Sequence, residues 1–505
     1  MKNVLEYLEN SFKKYPDKTA FYDGKNSLTF CELYDASRRI GTYLAKNLTH
    51  NDSAVQNMRS ALILMDKTPF ALAAFFGAAY AGIAYIPAGG DMPDARIDIM
   101  AETAGTSCII CDKANAPRCE GKKIPVFFYE EMVREGADDE LLTKIRDCQK
   151  DTDVLYIMFT SGSTGVPKGV MITHKGVILY IESLNKLLGI RQDDIFANQA
   201  PFYSDASLKE IYLGIRNGCE VDIVPKQLFL FPVKLVEYLN ERKITVICWV
   251  SSALSFVSSL GGLENAVPES VRIVTFVGEV FPVKQLNRWR RALPGATFYN
   301  LYGPTEVTGV CTAYRIDPEQ PEFDESKPVS IGKALEHSKI FLLDEEGREV
   351  KTGEICVQSD SLSPGYVNNE KRTAEVFVDN PADKGHMIYK TGDLATTDDE
   401  GNLYFVSRKD FQIKHMGYRI ELGEIEACAA SLEKIREVCC VYNDKKSKIV
   451  MYFTGDISAR ELSGHLKERL PRYMIPGKFE ACDILPKNGT GKIDRKKLYD
   501  MEMNG

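Results

Sequence analysis

The sequence lacks any long apolar run. No stretch approaches the roughly 18 apolar residues that a membrane-spanning helix requires. The N-terminal segment, MKNVLEYLENSFKKYPDK, is mixed and charged, without the apolar core of a secretory signal. We therefore expect no membrane span.

Basic runs are also missing, and the formal net charge is −8. Proteins that bind nucleic acid usually carry clusters of Lys and Arg, so we expect no nucleic-acid partner. The 13 cysteines are scattered, odd in number and without the spacing of a disulfide framework. Reduced thiols of this kind indicate a cytoplasmic protein.

One cysteine pair has the spacing of half a zinc site. Cys108 and Cys111 stand in SCIICDK, with Cys119 nearby, but the sequence offers no second pair or close histidine. A structural zinc site needs about four ligands. The two isoleucines between the cysteines favour a buried strand, which is our prediction.

What the sequence has in abundance is an alternation of helical and strand patterns. Segments such as PFALAAFFGAAYAGIAYIP and LVEYLNERKITVICWV run from an amphipathic or small-residue helix into an apolar strand. This alternation predicts an α/β fold with layered parallel sheets. Thr29 and Glu32 form a capping-box pattern at the start of one such helix.

The pattern changes twice towards the C-terminus. After about residue 320, segments such as KIFLLDEEGREVKTGEICVQ indicate strands joined by turns. From about residue 410, short strands alternate with helices, as in EIEACAASLEKI and KIVMYFT. We predict a large N-terminal domain, residues 1–409, of α/β subdomains plus a β-rich subdomain, and a small α+β domain, residues 410–505.

A glycine-rich segment, TSGSTGVPKG at residues 160–169, follows the apolar run VLYIMF. Backbone amides in such a turn can converge on an anion, and the hydroxyl groups and Lys168 add donors and positive charge. It is not a Walker loop, because Pro167 stands where the second glycine would be. We interpret it as a phosphate-binding loop. A flexible linker is the alternative, which the flanking apolar segments disfavour.

Four further segments accompany this loop: NLYGPTE (300–306), YKTGD (389–393), SRKDFQIKHMGYRIELGEIE (407–426) and LPKNGTGKIDRKKL (485–498). In this order and spacing, the five segments resemble those of the adenylate-forming ligases. More narrowly, they resemble adenylation domains that load amino acids onto carrier proteins, over nearly the whole chain. NQAPFYSDAS, VGEVFPV and a length without an appended domain are similar to stand-alone D-alanine–D-alanyl carrier protein ligases, which supply teichoic acids.

The resemblance implies ATP and Mg²⁺ as cofactors and assigns residues to them. The phosphates would be held by the loop residues Thr160, Ser161, Ser163, Thr164 and Lys168. The adenine and α-phosphate would lie against Asn300, Leu301, Tyr302, Gly303, Pro304 and Thr305. Glu306 would hold the metal, Asp393 the ribose hydroxyls, and Arg408 would make a second nucleotide contact. Thr164, Lys168, Glu306 and Lys492 would be the catalytic residues, with the Lys492 ammonium between the attacking carboxylate and the α-phosphate.

The resemblance also implies a mobile C-terminal domain that turns about a hinge at Asp410. Lys492 would leave after adenylation, and residues 414–419 would then form a channel for the phosphopantetheine thiol of the carrier protein. Gly417 fits a loop that approaches this arm closely.

The implied substrate pocket is organised around Asp205, which would bind the α-ammonium of an amino acid. A helix N-cap is the other interpretation of this aspartate. The remaining pocket residues would be Ala206, Lys209, Cys248, Thr275, Val277, Leu301, Gly309 and Val310. Asp205 is the only acidic residue of this set.

Two pocket positions depart from the D-alanine ligases, which have a cysteine in place of Val277 and an apolar residue in place of Lys209. Lys209 could pair with Asp205, reach solvent, or bind a substrate carboxylate. We favour the first two, because lysines usually reach water, and therefore expect a small amino acid, D-alanine first.

Three alternatives remain open. The protein could be a free-standing adenylation enzyme for another amino acid, small or acidic, in nonribosomal peptide assembly. It could be an acyl- or aryl-CoA synthetase, against which Asp205 argues, since such acids have no ammonium. It could also be a non-catalytic relative, but the intact Thr164, Lys168, Glu306, Asp393 and Lys492 argue against that.

Overall fold

The computed structural model describes residues 1–48, 58–162, 165–264, 266–488 and 493–504. The α-helices of these residues are α1 Leu5–Lys14, α2 Phe30–Asn47, α3 Pro69–Tyr80, α4 Asp94–Ala104, α5 Tyr129–Met132, α6 Asp139–Cys148, α7 His174–Leu188, α8 Leu208–Asn217, α9 Pro232–Glu241, α10 Ser251–Ser259, α11 Val283–Ala292, α12 Glu370–Val376, α13 Leu422–Ala430, α14 Ala459–Arg469 and α15 Arg495–Asn504. Short 3₁₀ helices include Asp205–Ser207 and Thr305–Val307.

The strands of the described residues are β1 Thr19–Tyr22, β2 Ser27–Thr29, β3 Ser60–Leu64, β4 Ala84–Ala88, β5 Cys108–Cys111, β6 Val126–Phe128, β7 Val154–Thr160, β8 Lys168–Thr173, β9 Ile195–Asn198, β10 Glu220–Ile223, β11 Val246–Val250, β12 Ile273–Val277, β13 Thr297–Tyr302, β14 Thr312–Ile316, β15 Lys333–Ala334, β16 Ser338–Leu343, β17 Thr352–Ser359, β18 Phe377–Asp379, β19 Met387–Thr397, β20 Leu403–Arg408, β21 Gln412–His415, β22 Tyr418–Glu421, β23 Ile435–Asn443, β24 Lys448–Gly455 and β25 Lys478–Ala481.

The chain divides into two compact units. The first comprises Met1–Gly90, Ala104–Met158 and Val170–Lys409, and the second comprises Asp91–Thr103, Phe159–Gly169 and Asp410–Gly505. The division after Lys409 coincides with the boundary expected from sequence. The second unit also includes two short segments from the N-terminal half of the chain, which the sequence patterns did not indicate.

One sheet has the order β6-β5-β3-β4-β7-β8 within the described residues, and its pairs β6–β5, β5–β3, β3–β4 and β4–β7 are parallel. Strand β3 is buried along its whole length, as expected for a parallel strand covered on both faces. The small residues of α3 allow close helix packing: a Cβ on Gly77 would lie 2.4 Å from Cγ2 of Ile40 in α2. Strand β5 confirms the prediction that the Cys108–Cys111 segment is a buried strand.

The second sheet has the order β15-β14-β13-β12-β11-β9-β10-β1-β2 in the described part of the chain. Its centre, from β13 to β1, is parallel, and β14, β15 and β2 are antiparallel. The carboxyl ends of parallel strands meet at one edge of a sheet, where ligands of α/β proteins usually bind. Five of the nine predicted pocket residues lie in the chain that follows β9 and β13 at this edge, and the other four lie within β11, β12 and β13.

The β-rich region expected after residue 320 is an antiparallel sheet of β16, β17, β19 and β18, with β20 added beside β19. The capping box of α2 is present, with Thr29 and Glu32 each accepting from the backbone of the other. In the second unit, the predicted terminal strands and helices are also found, with α13 and α14 contributing Ile425 and Leu462 to a core shared with β24. No helix of the described ranges is both long and apolar enough to cross a membrane.

Candidate active site

A tight loop connects β13 to β14 and contains several of the predicted site residues. The Cys311 N–H donates to the Tyr302 carbonyl at 2.8 Å, and a Cβ on Gly303 would lie 1.9 Å from the Gly309 carbonyl oxygen. Only glycine therefore fits at position 303. Gly309 has a φ of +96°, which glycine adopts without strain. The loop thus returns on itself and presents the 3₁₀ helix Thr305–Val307 at the carboxyl edge of the sheet.

Glu306 lies inside this loop, and it is 0% exposed. The Tyr366 hydroxyl donates to Glu306 Oε1 at 2.7 Å, and the Ser363 N–H donates to the Glu306 carbonyl at 2.9 Å. Glu306 is therefore not a surface residue at a helix start. A buried carboxylate fixed by a neighbouring hydroxyl is the kind of hard oxygen donor that Mg²⁺ accepts, so the residues present fit the implied metal.

Asp393 and Arg408, the two further nucleotide contacts, are Cα partners across β19 and β20. They form a buried ion pair. The Tyr302 hydroxyl donates to Asp393 Oδ2 at 2.6 Å, and burial together with this carboxylate raises the pKa of Tyr302 well above its usual value. A carboxylate has about four lone-pair sites, so two remain for ribose hydroxyls. The link between Tyr302 and Asp393 was not predicted, because only the fold brings these residues together.

The glycine-rich loop runs from the end of β7 to the start of β8, so Thr160 and Lys168 belong to strands. A Cβ on Gly162 would lie 1.9 Å from the Val166 carbonyl oxygen, so glycine is required for the loop to close. Gly165 has a φ of +87°, and its N–H donates to the Gly162 carbonyl at 3.1 Å. Ser163, Thr164 and Lys492 lie outside the described residues, and their predicted roles stay predictions.

Within the second unit, Ser161 and Lys168 of this loop contact residues of β22, the second strand of the hairpin β21–β22. The Ser161 hydroxyl donates to the Arg419 carbonyl at 2.7 Å and accepts from the Glu421 N–H at 3.0 Å. The Lys168 ammonium lies 3.7 Å from Glu421 Oε1. Predicted phosphate donors thus contact a carboxylate and a carbonyl of the same unit.

Glu424 binds the backbone of the glycine-rich loop. Its Oε2 accepts from the Gly162 N–H at 3.0 Å, and its Oε1 forms an ion pair with Arg96 of α4. Burial raises the pKa of Glu424 above its usual range, and Arg96 partly offsets the shift. Glu424 and Arg96 were not predicted, because a glutamate in GEIE and an arginine in a surface-like helix carry no local signal.

The turn of the hairpin β21–β22 accounts for a glycine at position 417. Met416 and Gly417 both have positive φ values, 54° and 81°, between the paired residues His415 and Tyr418. Two such residues form the type I′ turn that joins antiparallel strands best. The close approach of Gly417 to a phosphopantetheine arm therefore stays a prediction. Asp410, the expected hinge, accepts from the Gln412 N–H at 3.2 Å.

Asp205 follows β9 and is the first residue of the 3₁₀ helix Asp205–Ser207. The N-cap position is Ser204, so the capping interpretation of Asp205 is wrong. Its carboxylate accepts a hydrogen bond from the hydroxyl of Thr305, in the loop that contains Glu306. Burial raises the pKa of Asp205, and the Thr305 hydroxyl and the Lys209 ammonium partly offset the shift. The predicted ammonium-binding and nucleotide-binding residues are thus hydrogen-bonded to each other.

The strand residues of the predicted pocket lie in neighbouring rows of one sheet face. Cys248 is the Cα partner of Thr275, and Val277 is the partner of Leu301. Lys209 and Glu210 lie close enough to Cys248 for their charges to affect its thiol, whose pKa burial raises to about 12. The remaining predicted residues, Gly309 and Val310, are in the loop between β13 and β14, where Gly309 packs against the Tyr180 ring.

Lys209 does not reach solvent: it is 1% exposed, so that interpretation is wrong. Its ammonium donates to the Ala206 carbonyl at 2.6 Å and lies 3.9 Å from Glu210 Oε2. Its closest carboxylate among the described ion pairs is therefore that of Glu210, not that of Asp205. Glu210 is 0% exposed, and burial raises its pKa to about 7.

Lys67 is a second unpredicted charge beside Glu210. Its ammonium donates to the carbonyls of Asn198 and Gln199 at 2.9 and 3.0 Å, and burial lowers its pKa to about 7. Glu210 is a buried acidic group beside Lys209 that the predicted set of pocket residues did not include. Helical periodicity could not find Glu210, because the first two turns of α8 are buried on all sides.

Two protein-family models match this chain. Residues 8–367 match the family of AMP-binding enzymes, and residues 424–492 match the AMP-binding enzyme C-terminal domain. Zwittermicin A synthase ZmaJ of Bacillus cereus is 32% identical over 511 residues, covering 98% of this chain and 94% of ZmaJ. Surfactin synthase subunit 2 of Bacillus subtilis (strain 168) is 29% identical, but the match covers 14% of that protein and 98% of this chain.

Among solved structures, the Vibrio cholerae adenylation domain AlmE in complex with glycyl-adenosine-5′-phosphate superposes with a TM-score of 0.85 and 21% identity. The match covers 99% of this chain and 98% of AlmE. It confirms the predicted fold class, a large α/β domain followed by a small C-terminal domain.

Proposed function

Since the chain belongs to the AMP-binding enzyme family, we propose that it adenylates an amino acid and transfers it to the phosphopantetheine thiol of a carrier protein. The observation that carries this proposal is the hydrogen bond between Asp205 and Thr305. It places a carboxylate suited to an α-ammonium beside the loop of Glu306. An acid without an ammonium would leave the partly buried Asp205 carboxylate, which accepts from the Thr305 hydroxyl, without an opposite charge from the substrate, which is costly.

In the first half-reaction, a carboxylate oxygen of the amino acid attacks the α-phosphorus of ATP. The bond from this phosphorus to the bridging oxygen breaks, and pyrophosphate leaves with the negative charge. Glu306 would hold Mg²⁺, which would supply positive charge to the phosphates. Asp393, held by Tyr302 and Arg408, would orient the ribose, and the Lys492 ammonium would reduce repulsion between the two anions.

In the second half-reaction, the thiol sulfur attacks the acyl carbon of the adenylate, AMP leaves and a thioester forms. The artificially fused adenylation–PCP di-domain NpsA-ThdA of Klebsiella oxytoca, which has a similar fold, supports a carrier-bound product, and the glycyl adenylate of AlmE supports an amino acid substrate. An acyl- or aryl-CoA synthetase is the alternative, which Asp205 disfavours. D-alanine as the substrate, with a role in teichoic acid synthesis, stays a prediction.

The test is pyrophosphate exchange with the amino acids of both configurations. Asp205→Ala should raise the KM of the preferred amino acid at least tenfold and leave the KM of ATP nearly unchanged. Asp193→Ala is the matched control, because Asp193 is an exposed aspartate near the same strand, and it should change neither value. Full amino acid affinity in Asp205→Ala would contradict the proposal and favour the acyl- or aryl-acid alternative.

A further inference from the structure

We propose that the amino acid substrate has an acidic side chain, aspartate or glutamate, whose carboxylate accepts a hydrogen bond from Lys209. This inference rests on the proposed function and specifies its substrate class. It replaces the expectation of a small apolar amino acid, which depended on Lys209 reaching water or pairing with Asp205.

The first step concerns the donors of Lys209. An ammonium has three N–H groups. One donates to the Ala206 carbonyl at 2.6 Å, and Glu210 Oε2, at 3.9 Å, lies beyond hydrogen-bonding distance. A 1% exposed ammonium has almost no access to water. Because a buried charge is costly without full pairing, a carboxylate at the free donors would be strongly favoured.

The second step concerns Thr275, which lies on the strand next to Cys248 and is 0% exposed. Its hydroxyl has no hydrogen-bond partner of normal geometry among the described residues, and its polar neighbour is the weakly bonding Cys248 thiol. A hydroxyl and an ammonium both donate to a carboxylate. An apolar side chain would satisfy neither of them.

The third step concerns the charges around Lys209. Lys67 and Lys209 are two cations that act on the buried carboxylate of Glu210, and the charges of Asp222 and Lys226, which act on Lys67, are opposite in sign. Asp205, on which the Lys209 charge also acts, is a second carboxylate of this site. An acidic amino acid brings an ammonium for Asp205 and a side-chain carboxylate for Lys209, so each of these two charges gains an opposite partner in the complex.

The experiment measures kcat/KM in pyrophosphate exchange for both enantiomers of Glu, Asp, Gln, Asn and Ala. We expect Glu or Asp to exceed Ala and the matching amide by more than tenfold. Lys209→Met should reduce this preference more than tenfold and leave the KM of ATP unchanged. Lys284→Met is the matched control, because Lys284 is an exposed lysine, and it should preserve the preference.

Thr275→Val provides a second variant for the case in which Lys209→Met does not fold, and it should reduce the acidic preference a few-fold. Preference for alanine, or for Gln or Asn, in the wild type would overturn the inference and leave amino acid adenylation intact. An acidic preference unchanged in Lys209→Met would also overturn the role of Lys209. Exchange with none of the amino acids would instead contradict the proposed function.

Discussion

The proposed amino acid pocket of the first unit and the glycine-rich loop of the second unit both contain buried charged groups, but these groups find some of their partners at different distances along the chain. In the pocket, Asp205, Lys209 and Glu210 lie within six residues and share one short segment of helix. In the loop, Gly162 and Lys168 meet Glu424 and Glu421, more than 250 residues later. The Lys209–Glu210 ion pair is therefore local in sequence, whereas the loop depends on long-range contacts that a bound phosphate could replace.

The largest effect is expected from removal of Lys492, the predicted catalytic cation of the nucleotide site. Lys492→Ala should lower the rate of pyrophosphate exchange by about 10²–10³ or more, because one preorganised electrostatic donor is worth this much. Binding of ATP and transfer from preformed aminoacyl adenylate should be nearly unchanged. Lys496→Ala, a change at an exposed lysine four residues away, is the control. Near-normal exchange in Lys492→Ala would show that this assignment is wrong.

A second prediction concerns the effect of pH on protein stability through the buried carboxyl group of Glu210. Burial raises the pKa of Glu210 to about 7 in the folded protein. The contribution of this carboxyl group to the free energy of unfolding is therefore fully present below the ordinary pKa of a glutamate and is lost as the pH rises through about 7. Glu210→Gln removes this dependence. Between pH 4.5 and 8, the wild type should lose about 3 kcal/mol more of its unfolding free energy than the variant does.

Melting temperatures of both proteins across this pH range provide the measurement. Glu237→Gln is the control, because Glu237 is exposed on α9 and should leave the pH dependence unchanged. Equal slopes for the wild type and Glu210→Gln would mean that Glu210 ionises as freely as a surface glutamate.

A third prediction tests whether phosphate groups compete with carboxylates at the loop. Glu424→Gln should increase the affinity for ATP about fivefold, because a charged acceptor at the Gly162 N–H becomes a neutral one, a difference of about 1 kcal/mol. Equilibrium binding of ATP measures this effect, and Glu433→Gln, at an exposed glutamate, is the control. Unchanged or weaker ATP binding in Glu424→Gln would show that the carboxylate does not occupy a phosphate position.

The smallest effect concerns Val277, which is buried beside Leu301. Valine is branched and stiffer than cysteine, so Val277→Cys should change the ratio of kcat/KM between the enantiomers of the preferred amino acid. A methyl-sized misfit is worth about 1–3 kcal/mol at most, and we expect a change of a few-fold. Val274→Cys, at a buried valine on the opposite face of the same strand, is the control. A reversal of enantiomer preference would indicate that Val277 alone sets the configuration.

The sequence by itself determined the features that depend on neighbours along the chain. Alternating helix and strand patterns predicted the parallel sheets, the change after residue 320 predicted the antiparallel sheet, and the glycines at 162 and 303 stand at turns that exclude a side chain. The order of five short segments identified the family that the comparisons then showed. These features can be predicted from sequence because backbone conformation and apolar periodicity are largely local properties.

Only the tertiary structure decided how the polar side chains are paired. Lysine side chains usually reach water, yet the surrounding elements bury Lys209 beside Glu210, on which Lys67 also acts. Tyr302 and Asp393 are 91 residues apart, and Gly162 and Glu424 are 262 apart, so no local pattern links them. Burial of a charge depends on every element packed around it, and removal from water makes its partners decisive for substrate choice.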